Sequence, residues 1–167
     1  EGARPSERTV FWLLYDPDNL YIAVRAYDRE PQELIARQRQ RDGSLRGDDR
    51  ISIAIDTFHD RRNGYLFQIN PNGSRRDVLI IESSDFRAEW DGIWFGASRI
   101  DDQGWTTEIA LPMKTLNFDP KGDRWGFNIL RAVRRRNETD RWTAANQNLA
   151  FINMAEIGTI SGLRGLR

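Results

Sequence analysis

Thr9-Val10-Phe11-Trp12-Leu13-Leu14-Tyr15 and Leu20-Tyr21-Ile22-Ala23-Val24-Arg25-Ala26-Tyr27 are aromatic and β-branched runs either side of Asp16-Pro17-Asp18-Asn19. Proline presets φ, and Asp and Asn accept turn conformations, so the three pieces together predict a β-hairpin. In the second run Leu20, Ile22, Val24 and Ala26 share one face, while Tyr21, Ala23, Arg25 and Tyr27 share the other. A period of two is the signature of a strand with one buried face.

The same period continues along the chain. Ile51, Ile53 and Ile55 alternate up to Asp56, and Asp60-Arg61-Arg62-Asn63-Gly64 forms a turn with a strong Asn-Gly signal. Tyr65, Phe67 and Ile69 then alternate against Leu66, Gln68 and Asn70 before a Pro71-Asn72-Gly73 turn and a strand over Asp77–Ile81. Gly92–Ile100 and Gly104–Leu111 predict a second hairpin, and Trp125–Val133 a long strand. Shorter strands are expected near Trp142 and over Ile157–Ile160. Two segments break the pattern. Gln32–Arg37, with Pro31 ahead of it, predicts a short helix, and Pro112–Leu116 predicts one helical turn. Short strands with turn signals about every 8–12 residues specify an all-β antiparallel sandwich or barrel. No internal repeat or linker interrupts it, so residues 1–167 are expected to form one domain.

Composition narrows the function. The 25 basic and 25 acidic residues cancel, so no global field recruits nucleic acid or an anionic membrane. Lys114 and Lys121 are the only lysines; arginine supplies the remaining basic charge, and its planar fork suits carboxylate pairing and stacking. With no cysteine, disulfides and thiolate metal sites are excluded. No apolar run reaches the roughly 20 residues of a membrane-spanning helix.

Catalytic patterns are missing. His59, the one histidine, lies in a polar turn, and no Gly-x-Ser-x-Gly elbow, phosphate loop or dinucleotide fingerprint occurs. Paired carboxylates could serve glycoside hydrolysis, but Asp48 and Asp49 point to opposite faces if both lie in a strand, and Asp101-Asp102 sits in a hairpin turn. The expectation is therefore a binding module with no catalytic residues.

Six motifs in order resemble the family 9 carbohydrate-binding modules. They are Leu14-Tyr15-Asp16-x-x-Asn19-Leu20-Tyr21-Ile22-Ala23-Val24, Asp49-x-x-Ser52-Ile53-x-Ile55-Asp56 and Gly64-Tyr65-x-Phe67-x-Ile69-Asn70. After these come Gly104-Trp105-Thr106-x-Glu108-Ile109-Ala110, Trp125-Gly126-Phe127-Asn128 and Gly158-x-Ile160. Asp56–Tyr65, Asn70-Pro71-x-Gly73, Trp90-Asp91-Gly92-x-Trp94 and Gly162-Leu163-x-Gly165-Leu166 are similar to a subgroup found at the start of bacterial outer-membrane proteins, ahead of a predicted β-barrel. That resemblance implies a fragment of a longer chain, located in the periplasm or at the cell surface and associated with the outer membrane, with a C-terminal barrel as partner.

The resemblance also implies a ligand, a carbohydrate or glycan, and a site. Carried over position by position, the family's aromatic clamp falls at or beside Arg46 and near Phe151, neither of them a tryptophan. Its polar positions fall on Gln68 and Asn70, expected on the outward face of their strand. Trp12, Trp105 and Trp125 are expected in the core. Trp90, Trp94 and Trp142 either line a ligand surface or pack inward. Arg131 either pairs with a buried carboxylate or joins a binding face. Calcium-stabilised relatives imply a structural calcium ion, for which Asp28, Asp42 and Asp49 (with Glu30 and Asp48 close in sequence) are the candidate ligands; the same aspartates could equally be turn and cap residues. Two other roles are carried forward. One is an accessory domain contacting a barrel or another protein. The other is a haem site, as in related sandwiches, ligated by His59, Met113, Met154 or a lysine.

Overall fold

The computed structural model describes residues 4–143 and 150–167. Its first two strands, β1 (Thr9–Tyr15) and β2 (Asn19–Tyr27), form the hairpin that the opening runs predict, in antiparallel register from Thr9 opposite Ala26 to Tyr15 opposite Leu20. Asp16 fixes the turn. Its Oδ1 accepts from the backbone N–H groups of Asp18 and Asn19, both at 2.8 Å, a side-chain mimic of a backbone turn.

Two further strands, β7 (Phe95–Asp101) and β8 (Gly104–Pro112), complete a four-stranded sheet in the order β1-β2-β8-β7. The second sheet contains β3 (Arg50–Asp56), β4 (Gly64–Ile69), β5 (Arg75–Ile81), β6 (Asp85–Arg87), β9 (Arg124–Val133) and β10 (Glu138–Arg141), ordered β10-β9-β3-β4-β5-β6. The last strand, β11 (Gly158–Ser161), also pairs with β9, along Arg124–Phe127, while β10 takes Leu130–Val133. All pairings are antiparallel, so the fold is an all-β sandwich, as the alternation predicts.

The two inner faces make the core. Leu20, Ile22, Val24 and Trp105 from the small sheet meet Ile53, Phe67, Trp125 and Phe127 from the large one. Each such side chain contributes about 1.5–3 kcal/mol on burial. A second, smaller cluster lies on the opposite face of the large sheet, where Met154 and Ile157 cover Ala54, Leu66, Val78 and Ile80. The segment 150–157 is therefore a strap over the sandwich, and part of the large sheet is buried on both sides.

Helix is confined to short 3-10 turns, and the helix expected over Gln32–Arg37 does not form. The turn stops at Glu33, and Leu34 is already extended. Asp49 explains this. Its Oδ2 accepts from Ile35 N at 2.6 Å, while its own N–H donates to the Ile35 carbonyl at 2.7 Å, holding the segment straight against β3. Pro112–Leu116 does make its turn, over Met113–Thr115.

Candidate functional site

Alternation in the large sheet sends Ser52, Gln68, Arg76 and Leu130 to the face opposite the main core. The register aligns them. Arg141 of β10 lies opposite Leu130 of β9, Leu130 opposite Ser52 of β3, Ser52 opposite Gln68 of β4, and Gln68 opposite Arg76 of β5. At about 4.8 Å between strands, this row carries a guanidinium at each end, with the part-exposed amide of Gln68 and the buried Ser52 and Leu130 between. Gln68 Nε2 donates to Ser52 Oγ at 2.9 Å, which fixes the amide plane and leaves its carbonyl oxygen without a donor among the described residues. On one side the row is bounded by the strap, with Phe151 half-buried against the Leu66 cluster. On the other side lies Arg50, whose Nη1 donates weakly to the Leu45 and Arg46 carbonyls at 3.3 and 3.5 Å. Arg46 itself is exposed in the loop just beyond.

Asn70 is not part of that surface. β4 ends at Ile69, and Asn70 turns inward with 0% exposure. Its Nδ2 donates to the Gln38 carbonyl at 2.9 Å and to Asp48 Oδ2 at 2.8 Å, and its Oδ1 accepts from Asn72 N and Ser74 N. Every polar atom of the side chain is engaged in tying the 70–74 turn to the 38–48 loop. Trp94 is likewise a core residue. It is 2% exposed and donates its Nε1–H to the buried Asp77 Oδ1 at 2.9 Å. Trp90 packs on Tyr65 and Phe67, with ring centroids 5.0 and 6.1 Å away. The pair flanking Asp91-Gly92 therefore packs on the core, Trp94 buried and Trp90 half-buried.

Trp142 takes a third position. It is 46% exposed and meets Phe11 and Phe127 edge-on, at 5.9 Å each. Together with Thr9, Ile129, Arg131 and Asp140 it lines a cavity of about 460 Å³ between the edge strands β1 and β10, on the inner side of the sheet and away from Gln68. Burial, together with the neighbouring Glu138 carboxylate, pushes the Asp140 carboxyl up to about 6.

The aspartates expected to hold calcium do not converge. Asp28 is buried against a bidentate Arg135, at 2.7 and 2.8 Å, with Arg131 at 3.4 Å. Asp49 accepts from Ile35 N and Arg134 N, and Asp42 pairs with Arg41 at 3.2 Å. Two of the three carboxylates are thus already neutralised by arginine and the other by backbone donors. No group of three His, Cys, Asp or Glu side chains among the described residues is placed to hold a metal ion. These residues do not fit calcium; they are loop anchors. The haem candidates separate as well. Met113 lies in the main core, Met154 in the strap cluster on the other face of the sheet, and His59 Nε2 is 3.0 Å from Thr159 Oγ1. Arg131 resolves to the buried-carboxylate alternative, through Asp28.

Sequence reasoning finds Arg46, Gln68 and Phe151 of this face but misses Arg50, Ser52, Arg76 and Arg141. The signal was available for two of them, since Arg50 and Ser52 alternate against Ile51, Ile53 and Ile55. Arg76 and Arg141 needed the register. Of the outer face of the small sheet, the alternation finds Tyr21 and Ala23 but not the apolar residues beside them on the other strands. Trp12, expected in the core, is 51% exposed there beside Leu14, Tyr21 and Phe95, with Ala23, Ala97, Ala110 and the exposed Glu108 between them.

No known family profile matches this sequence, and no curated protein matches it. Solved structures do. A family 9 carbohydrate-binding module from Caldicellulosiruptor kristjanssonii in complex with glucose superposes with a TM-score of 0.69 at 18% identity, over 95% of this chain and 78% of that one. A family 9 module from the same organism in complex with cellotriose gives 0.68 at 17% identity, over 99% and 79%. A candidate carbohydrate-binding protein from Bacteroides uniformis gives 0.78 at 11% identity, over 93% and 78%. The chain shares the β-sandwich fold of the family 9 carbohydrate-binding modules.

Proposed function

We propose that this chain is a non-catalytic carbohydrate-binding module of a bacterial cell-envelope protein, and that it binds its ligand on the outer face of the large sheet. One observation carries the reading: Arg76 and Gln68 stand side by side and part-exposed, in a row that runs through the buried Ser52 and Leu130 to Arg141 and is bounded by Phe151 of the strap. Vicinal sugar hydroxyls both donate and accept, so they are matched by planar amide and guanidinium groups held side by side. An aromatic ring next to them offers a stacking surface for the apolar face of a pyranose. The neighbours solved with glucose and cellotriose support the same use of this fold. The cell-envelope setting rests on the sequence resemblance, and fractionation of the native host would test it.

Isothermal titration against a panel of glycans tests the binding. Heat is expected with at least one sugar at millimolar concentration, about tenfold weaker in Gln68→Ala and in Phe151→Ala. Silence with every sugar would sink the reading.

A second reading has its own support in the apolar outer face of the small sheet. Contiguous exposed apolar residues mark contact sites more often than bare surface. Trp12, Leu14, Tyr21 and Phe95 suit an accessory domain that rests on a barrel or another protein. Pull-down of an outer-membrane β-barrel from the native host, comparing wild type with Trp12→Lys, separates this role from sugar binding.

A further inference from the structure

We propose that the ligand of the large-sheet face is an anionic glycan, one whose sugar rings carry carboxylate or sulfate groups. This rests on the carbohydrate reading of the same face and adds the class of sugar. Arg50 stands in the row next to Gln68, two residues before Ser52 on the same side of β3, and pairs across to Ala132 of β9. β9 ends at Val133, and Arg134 opens the 3-10 turn that follows, its N–H on Asp49 Oδ1 next to Arg50 and its Nη1 on Asn137 Oδ1 at 3.3 Å, while the Arg46 carbonyl accepts from Arg50 Nη1. Arg46, Arg50 and Arg134 therefore cluster at one end of the polar row, with Arg76 and Arg141 at its two sides.

Several guanidiniums in other parts of the molecule are matched with acids, as Arg25 is with Asp101, Arg41 with Asp77 and Arg135 with Asp28, and others with carbonyls or rings, as Arg75 is with Trp94. At this end acids do not match them. Among the described residues no carboxylate forms an ion pair with Arg46, Arg50, Arg76 or Arg134. Asp48 and Asp49 lie close, but both are buried, with their oxygens taken by the backbone N–H groups of Ile35, Arg37, Gln38 and Arg134 and by Asn70. The Nε of Arg50 is buried without a hydrogen-bond partner. Burial lowers the Arg50 guanidinium from its usual range, and repulsion from Arg134 and Arg46 adds to this, partly offset by Asp48 and Asp49. A buried orphan donor and mutually repelling cations cost stability unless an anion joins them. A carboxylate or sulfate on a sugar ring fits the guanidinium fork bidentately, while the Gln68 carbonyl, its amide held by Ser52, takes a neighbouring hydroxyl. Nucleic acid is the less suited polyanion, because the whole chain carries no net charge and the patch is local.

Titration of the full chain at low and at 0.5 M NaCl with four probes is the test: an oligogalacturonate, a sulfated oligosaccharide, cellohexaose and a single-stranded oligonucleotide of matched charge. The expected result is that one of the acidic glycans binds at least tenfold tighter than cellohexaose. Its affinity should fall about tenfold at high salt and at least tenfold in Arg46→Ala/Arg134→Ala, a double variant of surface residues, with partial recovery in Arg46→Lys/Arg134→Lys. Which acidic probe wins tells carboxylate from sulfate. Equal, salt-insensitive binding of cellohexaose and the acidic probes overturns the anionic class and leaves carbohydrate binding standing. Binding of no sugar overturns both. An oligonucleotide that binds as tightly as the acidic glycans overturns the choice of a glycan.

Discussion

Gln68 and Asn70 are two residues apart and share a parity, yet one is a surface amide and the other a buried staple. The difference begins where β4 stops. Past Ile69 the backbone turns, and parity no longer decides which way a side chain points. Asn70 satisfies two donors and two acceptors across two loops, so Asn70→Ala is expected to cost about 3 kcal/mol in urea denaturation, against less than ~1 kcal/mol for Gln68→Ala. Similar losses for both would mean that Asn70 is not the staple described. Asp140 gives a second test at this scale. Its carboxyl holds its proton up to about pH 6 in the folded protein, against 3.8 for the ordinary group. A raised acid pKa means that stability is fully present below pH ~4 and is lost as the pH rises through 6. Solvent screening at the open edge of the sandwich limits this loss to about 1 kcal/mol. Asp140→Asn should therefore match wild type near pH 4 and exceed it by about 1 kcal/mol at pH 7.5; parallel stability curves would contradict the assignment. The Glu138–Asp140 spacing is local and legible, but the burial that is the larger cause of the shift comes from how β10 docks on β9 and was not.

The strands themselves were legible, since a period of two needs only local residues to read. Most expected strands form within a residue or two of their predicted ends. The misreadings have distinct physical causes. In β1 nearly every position is apolar, so alternation could not say that Trp12 faces out while Phe11 and Leu13 face in. The failed helix after Pro31 was a tertiary override: Asp49, fourteen residues downstream of Ile35, takes the backbone groups that a helix would need. Of the candidate site, Gln68 was legible from its place in an alternating strand, but its partners Arg76 and Arg141 come from pairing register, which no single segment contains. Turn glycines are the clearest case of legible local physics. Gly104 opens β8 at φ +132°, and a Cβ there would lie 2.2 Å from the Ala26 carbonyl oxygen on β2. Gly104→Ala faces both a forbidden backbone region and a backbone clash, and should lose about 3 kcal/mol. An unchanged thermal midpoint would show that the β7–β8 hairpin can move away from β2.

Across the whole molecule the two sheets are not equivalent. The large sheet is sealed on one side by the main core and on much of the other by the 150–157 strap, so β3 and β9 are buried along nearly their whole length. The small sheet has one wet face, and its edge strand β7 is exposed at most positions. This asymmetry suits the proposed binding role, because Gln68 of β4 and Arg76 of β5, the part-exposed residues of the polar row, are held on the stiffer sheet and lose little freedom on binding. It also sets an order of opening. Amides of β3, β4 and β9 can exchange only when the strap and the core both give way, at a free energy near that of global unfolding, whereas β6 and β7 need only to fray from an edge. Hydrogen exchange followed by mass spectrometry should find the slowest amides in Ile51–Ile55 and Phe127–Ala132 and markedly faster ones in Asp85–Arg87 and Phe95–Asp101. Removing the strap's anchor with Met154→Ala should raise exchange in β4 and β5 beneath it while leaving β2 and β8 at their wild-type rates. Uniform acceleration across both sheets would show instead that the strap cluster and the main core unfold as one unit.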